Sequence, residues 1–338
     1  MAQISHGTDR SSLPLSIPVL LGALSMLNNA QRKQLEQHWE LDCSYGVKGL
    51  ARFRVNVYKE RGCHAATLRA LSSKIPSFEQ LGLPEVVWEM ASKPRGLVLV
   101  TGQTGSGKTT TLAAILDAIN RHRAEHILTL EDSIEYVFTN RQSLFHQRQK
   151  GEDTQSFGNA LRAALHEDPD IILVGELRDL ETISLAVSAA ETGHLVLGTL
   201  HTSSAAGTVD RMVDVFPAEQ QAQIRAQLSG SLNAVFSQCL PRKQNPGPNE
   251  FGRALAQEIM VVTPEIANLI REGKTAQIYS AIQTELKLGM QTMEQSLARH
   301  VNSGAISLEE AQTNSSKPDE LLRLTGEGSA AQPASARR

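Results

Sequence analysis

Residues 102–109, Gly102-Gln103-Thr104-Gly105-Ser106-Gly107-Lys108-Thr109, decide how this chain is read. They fit the pattern GxxxxGK[ST]. A continuous apolar run, 97–101, stands directly before them, and residues 108–120 have helical spacing directly after. Strand, glycine-rich turn and helix in that order is the context in which the pattern carries meaning. Glycines let successive backbone N–H groups turn inward around phosphate oxygens, and the helix N-terminus adds positive potential there. Lys108 is placed to reach the outer phosphates, the Thr109 hydroxyl to ligate Mg²⁺, and Thr110 follows in the same turn. Chance alone gives the pattern in about 1% of chains this long, before the flanking elements are required. ATP with Mg²⁺ is the expected ligand.

The same alternation continues outward. Short apolar runs at 127–130, 171–174 and 195–199 are separated by helical spacing at 155–165 and 182–190. Apolar runs without polar alternation, spaced by helices, predict a parallel sheet covered on both faces. Each run ends in polar residues: Glu131-Asp132, with Glu135 a turn later, then Gly175-Glu176, then Thr199-Leu200-His201-Thr202. Ligands of open α/β sheets bind at that strand edge. Glu176 is expected to hold Mg²⁺ through water or to polarise the attacking water, and Glu131 or Glu135 to orient it. A lone His at a strand end is usually a satisfied polar group. Convergence of four strand ends instead favours His201 as a sensor of the γ-phosphate. Arg178-Asp179 either pair with each other or support the acidic site.

Before the loop, 50–58 alternates as a strand, with Phe53, Val55 and Val57 on one face and Arg52, Arg54 and Asn56 on the other. Residues 65–71 return as its hairpin partner, 17–40 have helical spacing, and the Pro- and Gly-bearing stretch 72–84 reads as a hinge. Arg52, Arg54, Arg61 and Arg69 are either a solvated strand face or arginine fingers for a neighbour's γ-phosphate. After Pro217 the sequence reads as mostly helical. Thr263-Pro264-Glu265 marks one helix start and Gly273 its end. From 314 onward small and polar residues predict disorder. The divisions are 1–76, a first domain; 77–92, linker and first helix; 93–313, the ATPase domain; and 314–338, the tail.

Bulk properties narrow the class. With 41% hydrophobic and 20% charged residues over 338 positions, the chain is an ordinary globular protein long enough for two cores. A net charge of -3 gives no reason to expect nucleic acid as partner. Three scattered cysteines form neither a disulfide framework nor a CxxC site, which points to a reducing cytoplasm. No run approaches the ~20 apolar residues that span a bilayer.

These segments together resemble the type IV pilus retraction ATPases, the PilT family of the type II/IV secretion ATPase superfamily. The resemblance is carried by 50–57, 93–102, Leu130-Glu-Asp-Ser-Ile-Glu-Tyr136, Asp168-Pro-Asp-Ile-Ile-Leu-Val-Gly-Glu-Leu-Arg-Asp179 and Thr192-Gly-His-Leu-Val-Leu-Gly-Thr-Leu-His-Thr-Ser-Ser-Ala205. The last three match the family's Asp box, atypical Walker B and His box. The resemblance implies an α/β fold: a RecA-like P-loop NTPase domain with a parallel sheet, preceded by a smaller α+β PAS-like domain. It implies a homohexameric ring powering pilus retraction and twitching motility, in the cytoplasm and docked peripherally on an inner-membrane pilus platform protein. Glu131 and Glu135 would be the Asp-box acids, Glu176 the Walker B acid, His201 the His-box sensor, and Arg54 and Arg69 the arginines supplied in trans.

Departures from the family pattern are specific. An initial Ser-Asp-Leu-His-like strand element is missing, so the first domain is expected to be truncated. Ser133 and Gln103 each stand where a Pro is usual, and Glu265-Ile266-Ala267 where an AIR-type motif is usual. Assembly and secretion motors usually carry a four-cysteine zinc loop after the His box. Only Cys239 lies there, which favours retraction over assembly or type II secretion. The alternative from another class is an accessory ATP-binding ring component with weak or no hydrolysis of its own.

Overall fold

A computed structural model describes residues 3–5, 27–47, 51–71, 74–247 and 250–326. The chain divides into two compact units, Met1–Ile75 with Asp132–Thr139, and Pro76–Glu131 with Asn140–Arg338.

The first unit is a four-stranded sheet of β1 (Gln3–Ser5), β2 (Glu40–Val47), β3 (Ala51–Glu60) and β4 (Cys63–Leu71), in the order β1-β4-β3-β2. The predicted alternation is seen in β3: Val55 and Val57 are buried, while Arg54 is exposed. Arg61 and Gly62 form the two-residue turn into β4 with φ of 50° and 82°. Positive φ at both positions is what a type I′ hairpin turn requires, and it matches the twist of the strands. The helix Asn29–His38 starts from a capping box between Asn28 and Gln31. It covers one sheet face through Leu35, which shares a core with Leu41, Val55, Ala66 and Leu68. The helical spacing expected over 17–26 lies outside the described residues.

The second unit holds β5 (Gly96–Thr101), β6 (His126–Glu131), β7 (Leu144–Gln149), β8 (Ile171–Val174), β9 (Leu195–Leu200), β10 (Leu232–Cys239) and β11 (Ala256–Val261). They lie in the order β11-β10-β5-β9-β8-β6-β7, all pairs parallel except β10 with β11. Every residue of β5, β8 and β9 is buried, because helices cover both faces. After β5 the chain crosses, through the helix Lys108–His122, to β6, three places away in the sheet. The C-terminal ends of β5, β9, β8 and β6 therefore meet at one edge, beside a topological switch point.

Two strands correct the expectation of a mostly helical region after Pro217. Leu232-Asn-Ala-Val-Phe-Ser-Gln-Cys239 mixes polar residues into its apolar run, which hides it as a strand. Ser237 and Gln238 are buried and paired instead: Ser237 Oγ lies 2.7 Å from Thr101 Oγ1 on the neighbouring strand. The edge strand β7 was also not anticipated, since Leu-Phe-His-Gln-Arg-Gln buries only Phe145 and Gln149. The helix Pro264–Glu272 has Thr263 as its N-cap and Gly273 at its end, as its sequence predicts.

The predicted disorder from 314 onward is corrected over Pro318–Thr325, which is a helix. Leu321 is fully buried there with Met293, Leu297 and Ile306, and Glu320 accepts a hydrogen bond from Tyr279 at 2.8 Å. One apolar anchor with a polar tie outweighs a weak local propensity. Residues 327–338 lie outside the described residues. Among the described residues, no helix is long and apolar enough to cross a membrane.

Candidate active site

The loop between β5 and the helix Lys108–His122 is built on unusual backbone. Gly102, Gly105 and Gly107 have φ of 142°, 83° and 88°, conformations that L-residues avoid. At Gly102 a Cβ would also stand 2.3 Å from the Gln238 carbonyl oxygen and 2.5 Å from Ser106 Oγ. Gly107 is the N-cap and has no side chain to satisfy the first turn, so those N–H groups face the loop's concavity. Ser106 Oγ is buried with no hydrogen-bond partner among the described residues. Left-handed glycines, an uncapped helix start and an orphaned buried hydroxyl fit a bound phosphate chain.

Lys108 lies 9% exposed at the mouth of this loop. Its ammonium donates to the carbonyls of Gly102 (2.7 Å) and Gln103 (3.1 Å) and stands 3.4 Å from His201 Nδ1. Burial pushes the Lys108 pKa down, and the nearby Glu176 charge opposes that shift. His201 Nε2 lies 3.1 Å from Glu176 Oε1, which also accepts from Arg178 Nε. One tautomer of His201 serves both contacts: Nδ1 accepts from Lys108 and Nε2–H donates to Glu176. Three residues 25 to 93 positions apart in sequence thus form one line, Lys108–His201–Glu176. Beside it Gln103, Thr104, Arg178 and His201 border an open cavity of about 550 Å³, within the range that holds a nucleotide-sized ligand.

Glu131, at the end of β6, is 8% exposed and its Oε1 accepts from Thr129 Oγ1 (2.6 Å) and Gln147 Nε2 (3.2 Å). Thr129 and Gln147 were not among the expected residues. A Thr inside an apolar strand, two positions before an acid on the same face, is the signal that points to the first of them. Of the remaining expected residues, Thr109 is exposed and Thr110 half-buried in the first helical turn, and Asp179 caps the helix Leu180–Glu191 through Thr182. Asp179 and Arg178 thus serve different partners. Glu135 is half-buried in the irregular segment Asp132–Thr139, which belongs to the first unit. Arg54 and Arg69 lie in the first unit, both exposed and directly opposite each other on β3 and β4.

The sequence reading also missed Glu258. Its buried carboxylate accepts the Ala205 N–H at 2.6 Å, at the start of the helix Ala205–Asp214 that follows His201-Thr-Ser-Ser204. Burial, reinforced by Glu294, raises its pKa to about 7 against the pull of the Ala205 hydrogen bond. A carboxyl with a raised folded-state pKa binds its proton more tightly folded than unfolded. The stability this contributes is full at low pH and is lost as pH rises through about 7. Glu258→Gln keeps the acceptor and removes the titration. Its melting temperature should fall less than the wild type's between pH 5 and pH 8, where the wild type loses about 3 kcal/mol. Equal slopes for the two proteins in thermal melts across that range would refute the assignment.

The family model described as type II/IV secretion system protein matches residues 37–313. A type IV pilus retraction ATPase, PilT, of Pseudomonas aeruginosa is 54% identical over 294 residues, 87% of this chain and 84% of that protein. A twitching motility protein of Neisseria gonorrhoeae is 49% identical over 297 residues, 88% of this chain and 78% of that protein. Among solved structures, the crystal structure of the pilus retraction motor PilT with bound ADP superposes with a TM-score of 0.83. It is 50% identical, over 89% of this chain and 84% of that one. The expected α/β fold and the expected nucleotide chemistry agree with these relatives. The chain belongs to the type II/IV secretion system protein family, within its branch of pilus retraction ATPases.

Proposed function

We propose that this chain is a cytoplasmic motor that couples ATP hydrolysis to pilus retraction, working as a homohexameric ring on an inner-membrane pilus platform. The observation that carries the reading is 54% identity to a pilus retraction ATPase across 87% of the chain, with every expected strand-end residue present. In this reading the backbone N–H groups of 102–109 and the Lys108 ammonium bind the phosphates of ATP. Thr109, with Glu176 through water, would hold Mg²⁺, which supplies charge neutralisation at the phosphates. Glu176 takes the proton of the attacking water, and Glu131, fixed by Thr129 and Gln147, orients that water; Glu135 is the second acid that the family likeness assigns. His201 joins Lys108 to Glu176 and so reports phosphate occupancy to the acid. Arg54 and Arg69 serve a neighbouring subunit's phosphates. Like charges directly opposite in a strand pair cost stability, and an anion placed between them removes that cost.

The test is complementation of a piliated strain that lacks its retraction ATPase. The wild-type chain should restore fibre shortening and twitching, and Lys108→Ala should not. Soluble, ATP-hydrolysing protein that restores neither would overturn the retraction reading. Soluble protein that binds ADP, hydrolyses ATP weakly or not at all and restores neither would instead favour the accessory role that Glu265-Ile266-Ala267 suggests.

A further inference from the structure

We propose that Gln238, near the end of β10, is a positioning residue for the phosphate loop: it turns the Ser106–Gly107 peptide so that the Gly107 N–H faces the bound phosphate. Gln238 is 2% exposed. Its Nε2 donates to the Ser106 carbonyl oxygen at 2.7 Å, and its Oε1 accepts from Thr111 Oγ1 at 3.1 Å, in the helix that follows the loop. Since a carbonyl can only accept, the Ser106 contact fixes which end of the amide faces the loop. In a trans peptide the C=O of one residue and the N–H of the next point in opposite directions. Pinning the Ser106 oxygen toward β10 therefore drives the Gly107 N–H the other way, into the concavity.

The same residue meets the loop elsewhere. Its own carbonyl oxygen occupies the space a Cβ on Gly102 would need, and its Nε2 lies 3.3 Å from where a Cβ on Gly107 would stand. Gln238 thus borders both ends of the loop from one position. Behind it the amide is braced by the buried residues Gln257 and Gln291 and, at the surface end, by the exposed Arg299. Gln257 Nε2 lies 3.4 Å from Gln238 Oε1, Gln291 Nε2 donates to the Gln257 carbonyl at 2.8 Å, and Arg299 donates to Gln291 Oε1 at 2.9 Å. Each of these hydrogen bonds is strengthened by its low-dielectric surroundings, though Gln257 Oε1 itself has no partner among the described residues, and the line they form ends in the helix Met293–Asn302. The loop is thereby referenced to the C-terminal helices, not only to its own strand and helix.

The Gly107 N–H meets the phosphate equally in ground and transition states, so its misorientation weakens binding uniformly. Uniform loss raises KM and leaves kcat unchanged. Gln238→Glu keeps size and acceptor but places a carboxylate oxygen against the Ser106 carbonyl. It should raise KM for ATP and Kd for ADP about tenfold, with kcat within about threefold. Thr111→Val, which removes the donor to Oε1 that steadies the amide, should raise KM by about threefold. A purely structural role would instead lower the active fraction, and apparent kcat with it, at unchanged KM. That pattern overturns the proposal, as does unchanged KM and ADP affinity in both folded variants. If Gln238→Glu does not fold, the KM and ADP affinity of Thr111→Val decide alone. The inference rests on nucleotide binding at 102–109. Failure of that reading would show as no ADP binding by the wild type, whereas failure of this one leaves wild type and variants binding ADP alike.

Discussion

Replacing Glu176 by Gln is expected to lower kcat for ATP hydrolysis at least about a hundredfold, while ADP affinity stays within a few fold. The amide has the size of the carboxylate and still accepts from His201 Nε2, so the line Lys108–His201–residue 176 survives. What disappears is the negative charge and the basic oxygen at the C-terminal end of β8. A second readout separates those two losses. Burial pushes the Lys108 pKa down, and the Glu176 charge opposes the shift. Removing that charge lets Lys108 lose its proton at lower pH. The rise of KM with alkaline pH should therefore begin earlier in Glu176→Gln than in the wild type. Stopped-flow phosphate release across pH measures both. Normal turnover in Glu176→Gln with lost turnover in Glu131→Gln would move the base to the end of β6.

Lys108→Ala should abolish detectable hydrolysis, a loss of about a thousandfold or more in kcat/KM. It should also remove the stabilisation that nucleotide confers. A ligand at a hundred times its Kd stabilises the folded state by about 2.7 kcal/mol, so ADP should raise the melting temperature of the wild type and leave the variant unmoved. Without nucleotide the two proteins should melt at similar temperatures, because opposing effects meet at this residue. The ammonium satisfies the Gly102 and Gln103 carbonyls, and its loss costs those hydrogen bonds. Yet its charge is itself disfavoured by burial, and that cost vanishes too. A full ADP-induced rise in Lys108→Ala, seen by scanning calorimetry, would place the phosphates elsewhere.

The local sequence determined the phosphate loop, because each of its requirements is short-range. The glycines with positive φ, the buried strand before them and the helix after them occupy one continuous segment. The strands at 127–130, 171–174 and 195–199 were legible for the same reason: full burial on both faces writes itself as an unbroken apolar run. Those runs also placed Glu131, Glu176 and His201 at strand ends, and their order in sequence was enough to suspect one edge.

Tertiary structure alone decided the rest. Whether His201 touches Lys108 or Glu176 depends on β9 lying between β5 and β8, and strand order is not a local property. The strand Leu232–Cys239 was illegible because its Asn, Ser and Gln look like surface residues. Ser237 and Gln238 are tolerated in the interior because partners more than a hundred positions away, Thr101 and Ser106, accept or share their hydrogen bonds. The helix Pro318–Thr325 was hidden likewise, its polar sequence outweighed by Leu321 entering a core that Met293 and Leu297 build. The loop proposed to bind phosphate was written in eight consecutive residues. What holds its shape was written far from it, in residues whose polarity makes sense only once they are buried together.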